Sequence, residues 1–231
     1  MIKNKGGVSI MKYKTVFDII GPTMVGPSSS HTAGAVRIGL VAKDLFNEIP
    51  KQVDIYLYGS FMETYKGHGT DVALVGGLLG YDTDDDRIQK SLETAEEIGM
   101  KVNFIEMAEE RSHPNTAIIN MRDGEKEISV EGVSIGGGKI EVVAINGFSI
   151  AISGNYPALL VFHKDTFGTI GRVANILGDS SINVGSMQVS RKEKGDQALM
   201  TCELDDAINN EIIEKIKNVD GVVTVSLMGD A

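Results

Sequence analysis

The run Gly26-Pro27-Ser28-Ser29-Ser30-His31-Thr32-Ala33-Gly34 puts three hydroxyls and an imidazole directly before a segment of helical apolar spacing. The first turn of a helix leaves N–H groups unpaired and carries the positive end of the helix dipole. An anion such as an amino-acid carboxylate is therefore favoured there, and Ser is a good N-cap. His31 beside such a site could move a proton near neutral pH. The same residues also fit a plain structural role, in which the serines cap the helix and satisfy its backbone donors. The residues alone leave both open.

Other chemistries find little support. The single cysteine, Cys202, lies in the strand-like run Ala198–Leu204. By itself it cannot build a disulfide framework, a four-cysteine zinc site or an iron–sulfur cluster, and it reads as a buried structural thiol. The Ser30-His31 adjacency does not make a hydrolase. The Gly-x-Ser-x-Gly match at Gly132–Gly136 falls between strand-like runs, whereas a nucleophile elbow needs a strand-to-helix turn. No Gly-x-Gly-x-x-Gly follows a strand and no P-loop occurs, so nucleotide sites are unsupported. Neither a Schiff-base lysine nor a phosphate cradle for pyridoxal phosphate is recognisable. The acidic run Asp82–Asp86 reads as a cap for a helix starting at Arg87 rather than as a metal site, and no metal ligand is expected on this chain.

The elements that must hold His31 follow from periodicity. Residues 1–11 are polar and read as a loose extension. A short apolar turn (Val16, Phe17, Ile19, Ile20) precedes Gly21-Pro22. Ala35, Ile38, Val41, Ala42 and Leu45 then give one apolar helical face. A strand is expected over Val53–Tyr58, a small-residue helix over Thr70–Leu79 and a charged amphipathic helix over Arg87–Ile98. Strands follow at Val102–Glu106, Thr116–Met121, Glu127–Val133, Lys139–Ile145 and Phe148–Ile152. Tight Gly-containing connections make the later ones antiparallel. After the turn-rich break Ser153–Pro157, the pattern becomes βαββαβ, the ferredoxin-like plan. The expected fold class is α+β, with a mixed α/β unit over 12–153 and a ferredoxin-like unit over 154–231.

The second unit resembles an ACT domain, a small-molecule sensor module. The resemblance rests on His163-Lys164-Asp165, the loop Thr166–Gly171 and Ile182-Asn183-Val184. The triple-serine run is similar to the signature of the iron–sulfur L-serine dehydratases. Tyr65-Lys66-Gly67-His68-Gly69-Thr70-Asp71 and Ser112-His113-Pro114-Asn115-Thr116 follow in that family's order. The match covers about residues 12–231 and is close to the separate β chain of two-subunit serine dehydratases. The resemblance implies elimination of water from L-serine, giving pyruvate and ammonia, with the [4Fe–4S] cluster on a cysteine-rich α subunit. It implies His31 and His68 as catalytic residues, with Ser28, Ser29, Ser30, Thr32, Lys66 and Thr70 binding substrate. It also implies allosteric roles for His113 and Asn115 and for His163 and Asn183, with pairing of ACT domains. The rival reading is a non-catalytic amino-acid sensor, resembling the regulatory half of some 3-phosphoglycerate dehydrogenases.

The 231 residues suffice for one or two domains with real cores. A charge of -10, spread along the chain, gives a phosphate backbone little help, so no nucleic-acid partner is expected. Apolar runs too short for a span, and an N-terminus without a signal-peptide core, lead to a cytoplasmic expectation with no membrane partner.

Overall fold

The computed structural model describes residues 23–229. The expected extension over 1–11 and the apolar turn around Val16–Ile20 lie outside the described residues. After a short helical turn (Ser29–Ala33), helix α1 (Gly34–Phe46) buries Ala35, Val36, Ile38, Ala42 and Phe46 completely or nearly so. It stops at Asn47, whose left-handed backbone (φ 59°) lets its N–H donate to the Lys43 carbonyl. Strand β1 (Gln52–Tyr58) leads into α2 (Gly59–His68). Gly69, also left-handed at φ 68°, ends α2 and starts α3 (Thr70–Leu78).

The expected single helix over Arg87–Ile98 is two pieces, a 3-10 segment (Asp86–Lys90) and helix α4 (Ser91–Glu97). The break has a local cause: Ser91 is fully buried and its hydroxyl donates to the Val72 carbonyl at 2.6 Å, which pins the chain to α3. The Asp85 side chain caps the 3-10 segment by accepting from the Arg87 N–H at 2.9 Å.

Strands β2 (Lys101–Met107), β3 (Thr116–Asp123), β4 (Lys126–Gly136), β5 (Lys139–Ile145) and β6 (Phe148–Ile152) complete a six-stranded sheet. Its order is β2-β1-β3-β4-β5-β6. Only β1 and β2 run parallel; every later pair is antiparallel. Helix α1 lies over β4 and β5, and α2 lies over β1. Helices α1 and α3 cross at Gly39 and Gly77 with their backbones nearly touching. A β-carbon built at Gly77 would lie 2.1 Å from the Val36 carbonyl oxygen, and one at Gly39 would lie 2.3 Å from that of Leu74.

The C-terminal part reads β7 (Ala158–Lys164), α5 (Thr169–Asp179), β8 (Val184–Arg191), β9 (Gln197–Leu204), α6 (Asn210–Lys217) and β10 (Val222–Met228). Its sheet order, β10-β7-β9-β8, is antiparallel throughout. One face packs under α5 and α6 through Leu159, Val161, Val173, Met200 and Ile216. The opposite face contributes Ala158, Leu160, Leu199 and Met228 to the same core as the first sheet, and Phe162 meets Phe148 edge-on at 6.0 Å.

Candidate functional site

Residues Ser29–Ala33 form a π turn, a wide turn that recurs at functional sites. The N–H of Gly34 reaches back five residues to the Ser29 carbonyl. Ser28, extended at φ -138°, is the cap, and its hydroxyl accepts from the His31 N–H at 3.2 Å. The wide turn bunches its side chains. Ser30 Oγ lies 3.0 Å and Ser28 Oγ 3.3 Å from His31 Nδ1, and the two oxygens are 3.3 Å apart.

The other side of the ring meets α2. Ser60 Oγ is 2.9 Å from His31 Nε2, Phe61 lies edge-on at 5.4 Å, and the His68 ring lies edge-on at 5.0 Å. Thr32, buried beneath, donates to the His68 carbonyl at 3.2 Å. Burial first, and then the neighbouring His68, lower the pKa of His31, while a hydrogen bond to the Ser60 backbone works the other way. The net result is a neutral imidazole at pH 7, able to accept a proton.

A third segment closes this cluster from behind. Gly59 has φ 51°, and a β-carbon there would lie 2.7 Å from the Pro114 carbonyl oxygen. That same carbonyl accepts from the Phe61 N–H at 3.4 Å. His113 Nδ1 accepts from the Asn115 N–H at 3.1 Å, and its carbonyl accepts from Thr116 Oγ1 at 2.6 Å. Asn115 accepts from the Ser134 N–H at 3.0 Å and donates through Nδ2 to the Ser134 carbonyl at 3.3 Å. Ser134 in turn fills the space over Gly34: a β-carbon on Gly34 would lie 2.1 Å from its Oγ. The Gly132–Gly136 match is strand β4 and not a nucleophile elbow, yet its serine backs the site. Among the described residues, the buried hydroxyls of Ser134 and Thr70 have no hydrogen-bond partner.

Ser28, Ser30, His31, Thr32 and His68 thus come together, with Thr70 fully buried at the start of α3. Ser29 contributes its carbonyl to the turn. Lys66 does not join them; it is exposed, with Nζ 5.4 Å from the centre of the Tyr65 ring, which stacks on Phe104. His113 and Asn115 brace the first residues of α2. His163 and Asn183 do not meet within one chain. His163 pairs with Ala198 at one end of β9, and Asn183 precedes Val184, which pairs with Leu204 at the other end. At about 3.3 Å per residue that is roughly 20 Å. His163 is buried, with Nδ1 on the Lys164 carbonyl at 2.8 Å and Nε2 without a partner among the described residues. Asn183 donates to Asp205 Oδ2 at 2.6 Å.

Ser60 and Ser134 escaped the sequence reading. A Gly-Ser pair at the end of a strand is the available hint for Ser60; the Gly-x-Ser-x-Gly match marks Ser134 but points to a different role. A cleft of about 540 Å³ between the end of α1 and α6 lies away from His31. Its charged groups already pair, as Lys217 does with Glu214 at 2.8 Å.

Residues 15–144 match the family described as serine dehydratase beta chain, and residues 158–221 match the ACT domain. The chain belongs to the serine dehydratase beta chain family. It is 52% identical over 220 residues to a probable L-serine dehydratase beta chain of Bacillus subtilis, spanning 95% of this chain and 100% of that one. It is 38% identical over 213 residues to the L-serine dehydratase beta chain of Peptoniphilus asaccharolyticus, spanning 91% and 96%. A D-3-phosphoglycerate dehydrogenase of Bacillus subtilis shares 42% identity over 87 residues, 38% of this chain and 17% of that protein.

Among the described residues no three of His, Cys, Asp or Glu cluster as metal ligands. Cys202, the sole cysteine, is enclosed in the ACT core, where burial pushes its thiol up to about 11. Also among the described residues, no helix is long and apolar enough to cross a membrane.

Proposed function

We propose that this chain is the β subunit of an L-serine dehydratase, converting L-serine to pyruvate and ammonia together with an α subunit. The observation that carries this is the convergence of the serine run, the start and end of α2 and the Pro114 loop on one neutral imidazole. Net elimination removes the α-proton and the β-hydroxyl, and the enamine formed takes up water to release ammonia. In this reading Ser28, Ser29, Ser30 and Thr32 bind the carboxylate or amino group at the head of α1. His31 contacts substrate or moves a proton, and His68 and Thr70 line the same pocket. Lys66 is left out. This reading assigns the [4Fe–4S] cluster to the α subunit, because a four-thiolate cluster needs more than the one buried cysteine of this chain, and it places the assembled enzyme in the cytoplasm.

His113 and Asn115 are proposed as a regulatory element acting on the same cluster, through Gly59 and Ser134. The ACT unit, taken from residue 154 onward, is proposed to pair with a second copy along β8. There Met187 and Val189 are each about 40% exposed. Where His163 and Asn183 bind an effector, pairing must supply the geometry that one chain lacks.

The test is anaerobic pyruvate formation from L-serine by this chain alone and with a cysteine-rich α partner carrying reconstituted cluster. Turnover only in the pair, lost in His31→Ala, is expected. Serine binding without turnover in either sample would instead support a sensor like the regulatory part of the phosphoglycerate dehydrogenases.

A further inference from the structure

The hydrogen bonds around His31 start from one fixed donor and reach Nδ1 through two hydroxyls, Ser30 at 3.0 Å and Ser28 at 3.3 Å, the shorter contact being that of Ser30. The His31 backbone N–H can only donate, and it donates to Ser28 Oγ at 3.2 Å. Ser28 Oγ then lies 3.3 Å from Ser30 Oγ, and Ser30 Oγ lies 3.0 Å from His31 Nδ1. On the far side, Nε2 lies 2.9 Å from Ser60 Oγ. Hydrogen bonds in a row strengthen when every member donates in the same sense. Followed from the fixed donor, Ser28 donates to Ser30, Ser30 donates to Nδ1, and Nε2–H donates to Ser60. A neutral imidazole has one donor and one acceptor nitrogen, and this sequence uses each once. Ser60 is left with its own O–H undirected by the ring.

We propose that Ser60 is a positioning residue that ends this directional chain, holding His31 as the Nε2–H tautomer with Nδ1 as acceptor. Ser60 can do this because it sits on the first turn of α2, immediately after the left-handed Gly59 that is pressed against Pro114. Its backbone is anchored in turn, for the Ser60 carbonyl accepts from Thr64 Oγ1 at 2.7 Å. Any bearing on turnover rests on the reading of His31 given above; the tautomer itself does not.

The sequence has four histidines, so the ring nitrogens of the full chain can be assigned by long-range proton–nitrogen correlation spectroscopy. For the wild-type chain at pH 7.5, the expected pattern is a protonated Nε2 and an unprotonated Nδ1 on His31. A predominantly Nδ1–H ring would overturn the proposal. In Ser60→Ala the tautomer ratio should move toward Nδ1–H by roughly five- to tenfold, the worth of one neutral hydrogen bond, and Ser60→Thr, which keeps the hydroxyl, should restore it. An unchanged ratio in a folded Ser60→Ala chain would also overturn it. If Ser60→Ala does not fold, the wild-type and Ser60→Thr spectra still decide. In the two-chain enzyme, Ser60→Ala should lower kcat more than it raises KM. A shifted tautomer with unchanged turnover would leave the positioning role intact and count against His31 as the catalytic group.

Discussion

Gly77→Ala tests whether the backbone contact between α1 and α3 sets the site. The added methyl would lie 2.1 Å from the Val36 carbonyl oxygen, 2.7 Å from the Leu40 nitrogen and 2.8 Å from the Gly39 α-carbon. None of these is a side-chain atom that could swing aside, so the helices must part, by about 1 Å if ordinary contact is to be restored. Overpacking of this kind costs about 1–3 kcal/mol, and the better helix propensity of Ala returns up to about 1 kcal/mol. The net loss should be about 1–2 kcal/mol, or roughly 2–8 °C in Tm for a chain of this length. Gly67→Ala in α2 is the control, because nothing lies within 4 Å of its added carbon. There the propensity gain stands alone, and the variant should be more stable by about 0.5–1 kcal/mol. The π turn leads directly into α1, and only Gly69 separates His68 from α3. A displacement of about 1 Å should therefore reduce turnover in the two-chain enzyme by up to about 100-fold. Thermal melts and pyruvate assays of both variants decide. A Gly77→Ala chain as stable as Gly67→Ala, with full turnover, would refute the argument.

His31 has a folded-state pKa below its ordinary 6.5, so below that value the unfolded chain binds more protons and stability falls with pH. His31→Gln should remove this component. The two Tm curves should run parallel above pH 6.5 and separate as the pH falls through it, stopping only at the lowered folded value; parallel curves throughout would refute the assignment. Cys202, pushed up to about 11 inside the ACT core, carries almost no thiolate at pH 8. A thiol reagent should modify it only as the chain unfolds, and modification at the rate of an exposed thiol would contradict that burial. Val189→Lys, on the exposed edge strand β8, should convert a paired chain to a single one in light scattering while its melting temperature barely changes. An unchanged mass would exclude β8 as the pairing edge.

Much of this arrangement was legible because local pattern and tertiary role agree. The face of α1 through Ala35, Ile38, Ala42 and Leu45 is the face that is buried, and the βαββαβ order of the second unit is as read. Helix α2 was not legible. Gly59-Ser-Phe-Met-Glu-Thr-Tyr-Lys-Gly-His68 is bounded by glycines and buries only Phe61, so it shows no apolar stripe. Helix α3, expected over Thr70–Leu79 and found over Thr70–Leu78, is apolar on all sides because α1, α2 and α4 surround it. At the site, the serine run was visible as a contiguous motif. Ser60 and Ser134 reach it from 29 and 100 residues away from His31 and Gly34, through a left-handed glycine and a strand register respectively. Neither device leaves a periodic trace in the sequence. Lys66 shows the converse: adjacency to His68 in sequence put it two positions round the helix, on the Tyr65 side.

The π turn also fixes how much this motif can change in length. A turn closed from Gly34 to Ser29 holds one residue more than an α-helical turn. Deleting Ser30 would let α1 continue backward in ordinary register. Each residue of an α-helix advances about 100° round the axis, so everything before the deletion would be swung by about that angle. The Ser28 hydroxyl would then leave the imidazole, and with Ser30 gone His31 Nδ1 would lose both of its hydroxyl neighbours at once. Substitutions within the run can be graded in their effect; a single-residue deletion should act as all or nothing.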